Sequence, residues 1–202
     1  MNRTGFFSIG AALLFSGCAV SICKAPVGEA PLDITKDAEE WAGLWSLHVG
    51  GNDAYLNPKE DLTVPVSIEV TDSSNGVLRV HLYFTDVDKE RRNLSELPPV
   101  YDVYLRRSED WVFANVEVKD SDKTNSPPDY VWGRVRKDKR VAYLWWANAF
   151  ILSDLQKEGK VPPYVSSEKM AAFNSNHVAQ IMSPTNPVPF IWQSPMLFIK
   201  QD

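Results

Sequence analysis

Residues 64–84 read VPVSIEVTDSSNGVLRVHLYF, and this stretch decides the fold class. Apolar and polar side chains alternate through its first half, where one face carries Val64, Val66, Ile68 and Val70. The alternation resumes after the turn, where one face carries Leu78, Val80, Leu82 and Phe84. Between the two halves lies Asn75-Gly76, and this dipeptide is the strongest short-range signal for a hairpin. The stretch therefore predicts two paired antiparallel strands that each turn one face toward a core.

The same period of two recurs along the rest of the chain. Further strands are predicted at 101–106, 111–118, 130–136, 140–147 and 196–200. Tight turns near 108–110 and 137–139 join neighbouring strands, and such connections make an antiparallel meander. Helical spacing appears at 148–158, and a second short helix is predicted at 167–173. We therefore expect a mainly β protein, a single antiparallel β-barrel or strongly curved sheet, with one or two short helices near the C-terminal third.

The first residues have the layout of a secretory signal peptide. Arg3 is followed by an apolar run over residues 6–15, which is too short to span a bilayer. The run ends in Ser16-Gly17-Cys18, and this ending resembles the lipobox of bacterial lipoproteins. The resemblance implies that the thiol of Cys18 is acylated and that the chain is cut just before it. A conventional signal peptide cut further along, or an uncleaved anchor, is the alternative.

Three parts follow from this interpretation. We expect a lipoprotein signal peptide at 1–17, a flexible tether at 18–37 and a single β-rich domain at 38–202. The tether is predicted because its Pro and Gly residues follow no sustained period. Ala19 follows the acylated position, and in lipoproteins that resemble this chain a residue other than Asp there permits transfer to the outer membrane. We therefore expect a lipid-anchored protein on the periplasmic side of the envelope, at the outer rather than the inner membrane, held by acyl groups on Cys18.

A second resemblance lies at the start of the β-rich domain. Gly43-Leu44-Trp45 is similar to the G-x-W signature of lipocalins and related calycin barrels. In that family the Trp packs across the closed end of the barrel, and the strands are followed by a helix and a final strand. A late Arg of the family packs on the Trp, whereas Lys200 is the only basic residue in the last strand here. The resemblance implies a calycin-like barrel, and bacterial lipocalins are often outer-membrane lipoproteins.

Composition and motif searches exclude several classes of function. The 202 residues carry 26 acidic and 21 basic side chains, a net charge of −5, which gives no basic face for nucleic acid. The three histidines, His48, His81 and His177, have no partner at metal-ligand spacing, so no metal site is expected. Neither a nucleophile elbow nor a phosphate-binding glycine loop is present, so we expect neither a cofactor nor an enzyme.

Aromatic residues are the richest remaining signal, with 7 Trp, 7 Tyr and 9 Phe. Core packing explains many of them, because strands favour large aromatic side chains. Others are candidates to line an aromatic pocket for an apolar ligand. The candidate ligand-binding residues are Trp45, Trp132, Tyr143 and Trp145.

Three hypotheses of function remain. The first is an envelope lipoprotein that is not an enzyme and binds a small hydrophobic molecule or lipid inside a β-barrel. The second is a structural, accessory or inhibitory lipoprotein that binds an envelope protein. The third, ranked below both, is a hydrolase of envelope glycans or lipids. An interior void would favour the first hypothesis, and an exterior apolar patch would favour the second.

Overall fold

The computed structural model describes residues 22–23, 25–49, 62–84, 100–108, 110–118, 128–148, 154–155, 157–159 and 195–202. The signal peptide predicted at 1–17, the acylation site Cys18 and the helix predicted at 167–173 lie outside the described residues. They stay predictions.

The bounds of ten strands and of one short helix lie within the described residues. The strands, in chain order, are β1 (Ile22–Cys23), β2 (Ala30–Pro31), β3 (Gly43–Val49), β4 (Leu62–Asp72), β5 (Val77–Leu82), β6 (Val100–Ser108), β7 (Trp111–Val118), β8 (Asp129–Asp138), β9 (Val141–Trp146) and β10 (Met196–Lys200). The helix, α1, covers Ala38–Trp41.

Strands β3 to β10 form a closed eight-stranded antiparallel barrel. Each strand pairs with its neighbour in the chain from β3 through β9, and β10 pairs with both β9 and β3. Closure leaves these eight strands without a free edge, which is how barrels avoid edge-to-edge association. The predicted single antiparallel barrel and the predicted closing strand at 196–200 are both confirmed.

The hairpin at 64–84 is formed as predicted. Val80 of β5 lies opposite Ile68 of β4, so the two apolar faces coincide. Within the turn, Gly76 takes a positive φ of 64°. The carboxylate of Asp72 accepts a hydrogen bond from the backbone N–H of Asn75 and another from the Ser74 hydroxyl. The side-chain amide of Asn75 also donates to this carboxylate at 2.8 Å, and it is the main cause that holds the pKa of Asp72 below its ordinary value, with the other two bonds adding to it.

The core is the inside of the barrel. Alternation turns every second side chain inward, and all eight strands contribute to one apolar cluster. Among its fully buried members are Trp45 and Leu47 of β3, Val66 of β4 and Leu105 of β6. Helix α1 adds Trp41 to the same cluster.

The two ends of the barrel differ in their connections. At one end, short turns join β4 to β5, β6 to β7 and β8 to β9, and α1 leads directly into β3. At the other end, the connections are the long stretches 50–61, 83–99, 119–128 and 147–195. We call the first end the floor of the barrel and the second the mouth.

Over residues 25–37, the structure does not agree with the flexible tether predicted at 18–37, because these residues are packed against the barrel. Residues 25–37 form a strap that crosses the outside of the barrel, and we call them the N-terminal strap. Val27 is fully buried, and Ile34 is 2% exposed. The N–H of Leu32 donates to the carbonyl of Leu105 (3.0 Å), and that of Ile34 donates to the carbonyl of Ser73 (2.9 Å). The strap shows no sequence period because hydrogen bonds to the barrel, including the short pairing of β2 with β6, hold it in place.

The helical predictions have a mixed outcome. Asp154, Leu155 and Lys157 are helical, in agreement with the helix predicted at 148–158. The start of that prediction differs, because Asn148 still forms an isolated β-bridge. Helix α1 was not predicted from the sequence. In the part of the chain that the structure describes, no helix has both the length and the apolar character needed to cross a membrane.

Candidate functional site

A cavity of about 80 Å³ lies inside the barrel. Every barrel strand contributes to its wall, and the lining side chains are aliphatic or aromatic. No charged side chain is among the described residues that line it. Such an apolar lining holds water poorly, because a water molecule needs polar partners. The cavity therefore offers space to an apolar group and not to an ion.

The floor of the cavity is built from two tryptophans. Trp45 is 1% exposed, and its indole N–H donates to the carbonyl of Trp41 at 2.9 Å. The ammonium of Lys200 lies 6.0 Å from the centre of the Trp45 ring and donates to the carbonyl of Glu39. Lys200 thus ties the last strand to α1 and places a cation beside the Trp45 ring.

Tyr101 brings a polar atom to the wall of this apolar cavity. It is the second residue of β6, near the mouth, and it faces inward with Val103 and Leu105. Its hydroxyl oxygen is buried and has no hydrogen-bond partner among the described residues. Burial raises the pKa of Tyr101 from 10.0 to about 12, so the hydroxyl is uncharged at neutral pH. A buried hydroxyl without a partner costs about 1–3 kcal/mol, which makes it an unusual feature for a core.

The four candidate ligand-binding residues are not brought together. Trp45 lines the cavity. Trp132 points out of the barrel, since its neighbour Val131 faces the core. It is buried there against Phe113, and the two rings meet edge to face with their centres 5.9 Å apart. Tyr143 and Trp145 also lie on the outer face, where their rings stack at 5.6 Å.

The outer face carries an aromatic ladder formed by Trp111, Arg134, Trp145 and Tyr143. The guanidinium carbon of Arg134 lies 3.3 Å from the centre of the Trp111 ring and 5.9 Å from that of Trp145. Burial among these rings lowers the pKa of Arg134, with the charge of Arg136 as a smaller cause. Arg134 stays charged all the same, because guanidinium groups ionise far above neutral pH.

The two histidines that the structure describes are not grouped with other possible metal ligands. His48 lies 3.3 Å from the Thr63 hydroxyl through its Nδ1, and His81 stacks on Tyr83. Within the described ranges, no group of three or more His, Cys, Asp or Glu side chains could hold a metal ion. His177 lies outside the described residues.

Two cavity residues were missed by the sequence reasoning, although a signal for each was present. Tyr101 alternates with Asp102 and shares its face with Val103, which places it toward the core. Trp146 has the opposite parity to Tyr143 on β9, and the structure shows that this parity is the inward one. Alternation identified the two faces of each strand but could not assign which of two apolar faces of β9 points inward.

Comparison with known proteins gives no significant match: no family model, no curated protein and no solved structure aligns with this chain. The functional argument therefore rests on the residues and geometry described above.

Proposed function

We propose that this protein is an acyl-anchored envelope protein whose barrel binds a small, slender apolar molecule. The observation that carries the proposal is the apolar cavity of about 80 Å³ inside the closed barrel. A folded core normally has few voids larger than a water molecule. A cavity of this size costs about 2 kcal/mol in lost packing, at about 24 cal/mol per Å³. Retention of such a void at the centre of the core supports a binding role.

The volume restricts the ligand. One water needs about 10–15 Å³, and pockets for drug-sized ligands are about 300–1,000 Å³. The cavity lies between these limits, which favours a short or single-chain apolar group over a ring system. Trp41 and Trp45 close the floor, so entry from the mouth is the arrangement that we propose.

The anchor and the lipocalin resemblance are parts of the same proposal. The lipobox-like Ser16-Gly17-Cys18 supports acylation, and the order of strands in the closed barrel supports a calycin-like fold. Lys200 above Trp45 adds to that support, since a basic residue over this Trp is part of the family pattern.

The test is a cavity-filling substitution. Ala142 lines the cavity and is 4% exposed, so Ala142→Leu places three extra carbons in the void. We expect the wild-type full chain to bind n-hexane, measured by the fluorescence of the cavity tryptophans. Ala142→Leu should abolish this binding and leave the free energy of unfolding unchanged or raise it by about 1–2 kcal/mol.

Val141→Leu is the matched control, because it adds bulk to the outer face of the same strand. It should leave hexane binding unchanged. A wild-type protein that binds no hexane, and yields no apolar molecule on solvent extraction, would overturn the proposal.

Binding of a protein partner is the second candidate, and the aromatic ladder favours it. Aromatic and Arg side chains together are typical of the central residues of protein interfaces. The discriminating experiment places a photocrosslinker at Tyr143 and, as control, at Asn75 in the exposed turn. One discrete adduct from Tyr143, absent from Asn75, would support a partner, and equal labelling at both would contradict it.

A further inference from the structure

Among the described residues, the cavity wall has one polar side-chain atom that is buried without a hydrogen-bond partner. The Tyr101 hydroxyl is buried against a lining that is otherwise aliphatic and aromatic, and no described residue accepts or donates to it. A Phe at this position would fill the same space without the cost of a buried orphan hydroxyl. The contacts of the described residues therefore give this hydroxyl no structural role.

Tyrosines on the outer face of the barrel do not share this situation. Tyr104 lies on the outer face, where its hydroxyl donates to the Glu117 carboxylate at 2.7 Å. Tyr143 also lies outside and stacks on Trp145. Among the described tyrosines, Tyr101 is the one that lines the cavity.

We infer that the Tyr101 hydroxyl is the group that recognises the ligand, and that the ligand is a slender apolar molecule bearing one uncharged oxygen, such as an alcohol, ketone or ester. This inference rests on the proposed function. A hydroxyl both donates and accepts, so it can pair with any of these oxygens. Tyr101 lies near the mouth, so the oxygen of the ligand would lie there and its apolar part would extend toward the tryptophan floor.

The lining also selects against charged ligands. A carboxylate taken into this cavity would leave water without meeting a cation, because no charged side chain is among the described lining residues. The unpaired charge would cost far more than one hydrogen bond to Tyr101 returns. The site therefore favours an uncharged oxygen over the carboxylate of a fatty acid.

The experiment compares three six-carbon probes on the full chain carrying Cys18→Ser, purified without detergent. The probes are n-hexane, 1-hexanol and hexanoate, titrated at neutral pH. We expect hexane and 1-hexanol to bind, and hexanoate to show no binding. Tyr101→Phe should weaken 1-hexanol about 3- to 10-fold, the effect of one hydrogen bond, and leave hexane unchanged.

Tyr143→Phe is the matched control, because it removes a hydroxyl from the outer face, and it should change neither affinity. Thermal unfolding of Tyr101→Phe at neutral pH, expected at or above the wild-type midpoint, verifies that the variant folds. Equal effects of Tyr101→Phe on hexane and 1-hexanol, or tight binding of hexanoate, would overturn this inference and leave the proposed function standing. Failure of both hexane and 1-hexanol to bind the wild type would instead overturn the proposed function.

Discussion

Asn115 is the residue that fastens the N-terminal strap to the barrel. It is fully buried on the outer face of β7. Its Oδ1 accepts from the N–H of Val27 at 2.6 Å, and its Nδ2 donates to the carbonyls of Val27 and Tyr104, each at 3.1 Å. One side chain thus satisfies both backbone groups of Val27, which is why an irregular segment can be buried there.

We predict that Asn115→Ala destabilises the protein by about 2–4 kcal/mol, because it leaves buried backbone groups without partners. Denaturant unfolding monitored by tryptophan fluorescence measures the change. Hydrogen exchange should show that the Val27 amide loses most of its protection. Asn75→Ala, in the exposed turn, is the control for substitution of an Asn. A loss below about 0.5 kcal/mol at Asn115 would contradict this role.

The raised pKa of Tyr101 predicts that the stability of the protein depends on pH. Its pKa is raised to about 12 in the folded protein and is near 10 in the unfolded chain. The unfolded chain therefore loses this proton first as pH rises. Below about pH 10 the free energy of unfolding does not depend on this proton, and between about pH 10 and 12 it falls by an amount on the order of 2 kcal/mol, because only the unfolded chain is ionised there.

Denaturant unfolding across this range tests the prediction, with Tyr101→Phe as the comparison. The variant should lose less stability than the wild type between pH 10 and 12. Some decline should persist in the variant, since the pKa values of Tyr104 and Tyr130 are also raised. Parallel curves for the two proteins would show that Tyr101 does not titrate as a buried group.

At the scale of elements, the β4–β5 turn is fixed by contacts as well as by its local sequence. Gly76 has a positive φ of 64°, and a Cβ at this position would lie 2.4 Å from the carbonyl oxygen of Leu32 in the strap. The N–H of Leu105 donates to the carbonyl of Gly76 at 2.8 Å. The turn, the strap and β6 therefore meet at this glycine.

Gly76 and Gly159 make a matched pair for a test. Gly159 has a similar φ of 70°, but a Cβ there would meet no atom of a described residue within 4 Å. Gly159→Ala should therefore cost only the backbone strain, about 1 kcal/mol. Gly76→Ala should cost at least 2 kcal/mol more, because backbone atoms must also move. If denaturant unfolding shows a similar loss in the free energy of unfolding for both variants, the close approach at Gly76 does not contribute to stability.

The strands were predictable because alternation is a local property of the sequence. The hairpin at 64–84 and the strands from β6 to β10 all followed from a period of two. Helix α1 and the strap were not predictable in this way, because each depends on contacts with residues distant in sequence. Asn115 and Arg106 hold the strap in place. The Nε of Arg106 donates to the carbonyl of Gly28 at 3.0 Å, across 78 positions of sequence.

At the scale of the whole molecule, the packed strap changes the predicted geometry of the anchor. Three residues, 19–21, separate Cys18 from β1, so the Cα atoms of Cys18 and Ile22 are at most about 14 Å apart. An acylated Cys18 would therefore hold the barrel close to the membrane surface. A flexible tether of 18–37 would have allowed a much longer reach.

The corresponding prediction concerns Cys18 and Cys23. Cys18→Ser should abolish incorporation of radioactive palmitate and release the protein from the membrane fraction, because no acyl group can form. Cys23→Ser is the matched control and should keep both properties. Label that persists in Cys18→Ser would show that the lipobox interpretation is wrong.

By itself, the sequence determined the fold class and the faces of most strands. It also indicated a route to the membrane through Cys18, which stays a prediction. These properties can be predicted from sequence because side-chain alternation and signal-peptide layout each depend on a few neighbouring residues. The tertiary structure decided that the sheet closes, that Tyr101 and Trp45 meet one cavity, and that Trp132, Tyr143 and Trp145 lie outside it. Those outcomes depend on strand pairing between distant residues, which no local pattern records.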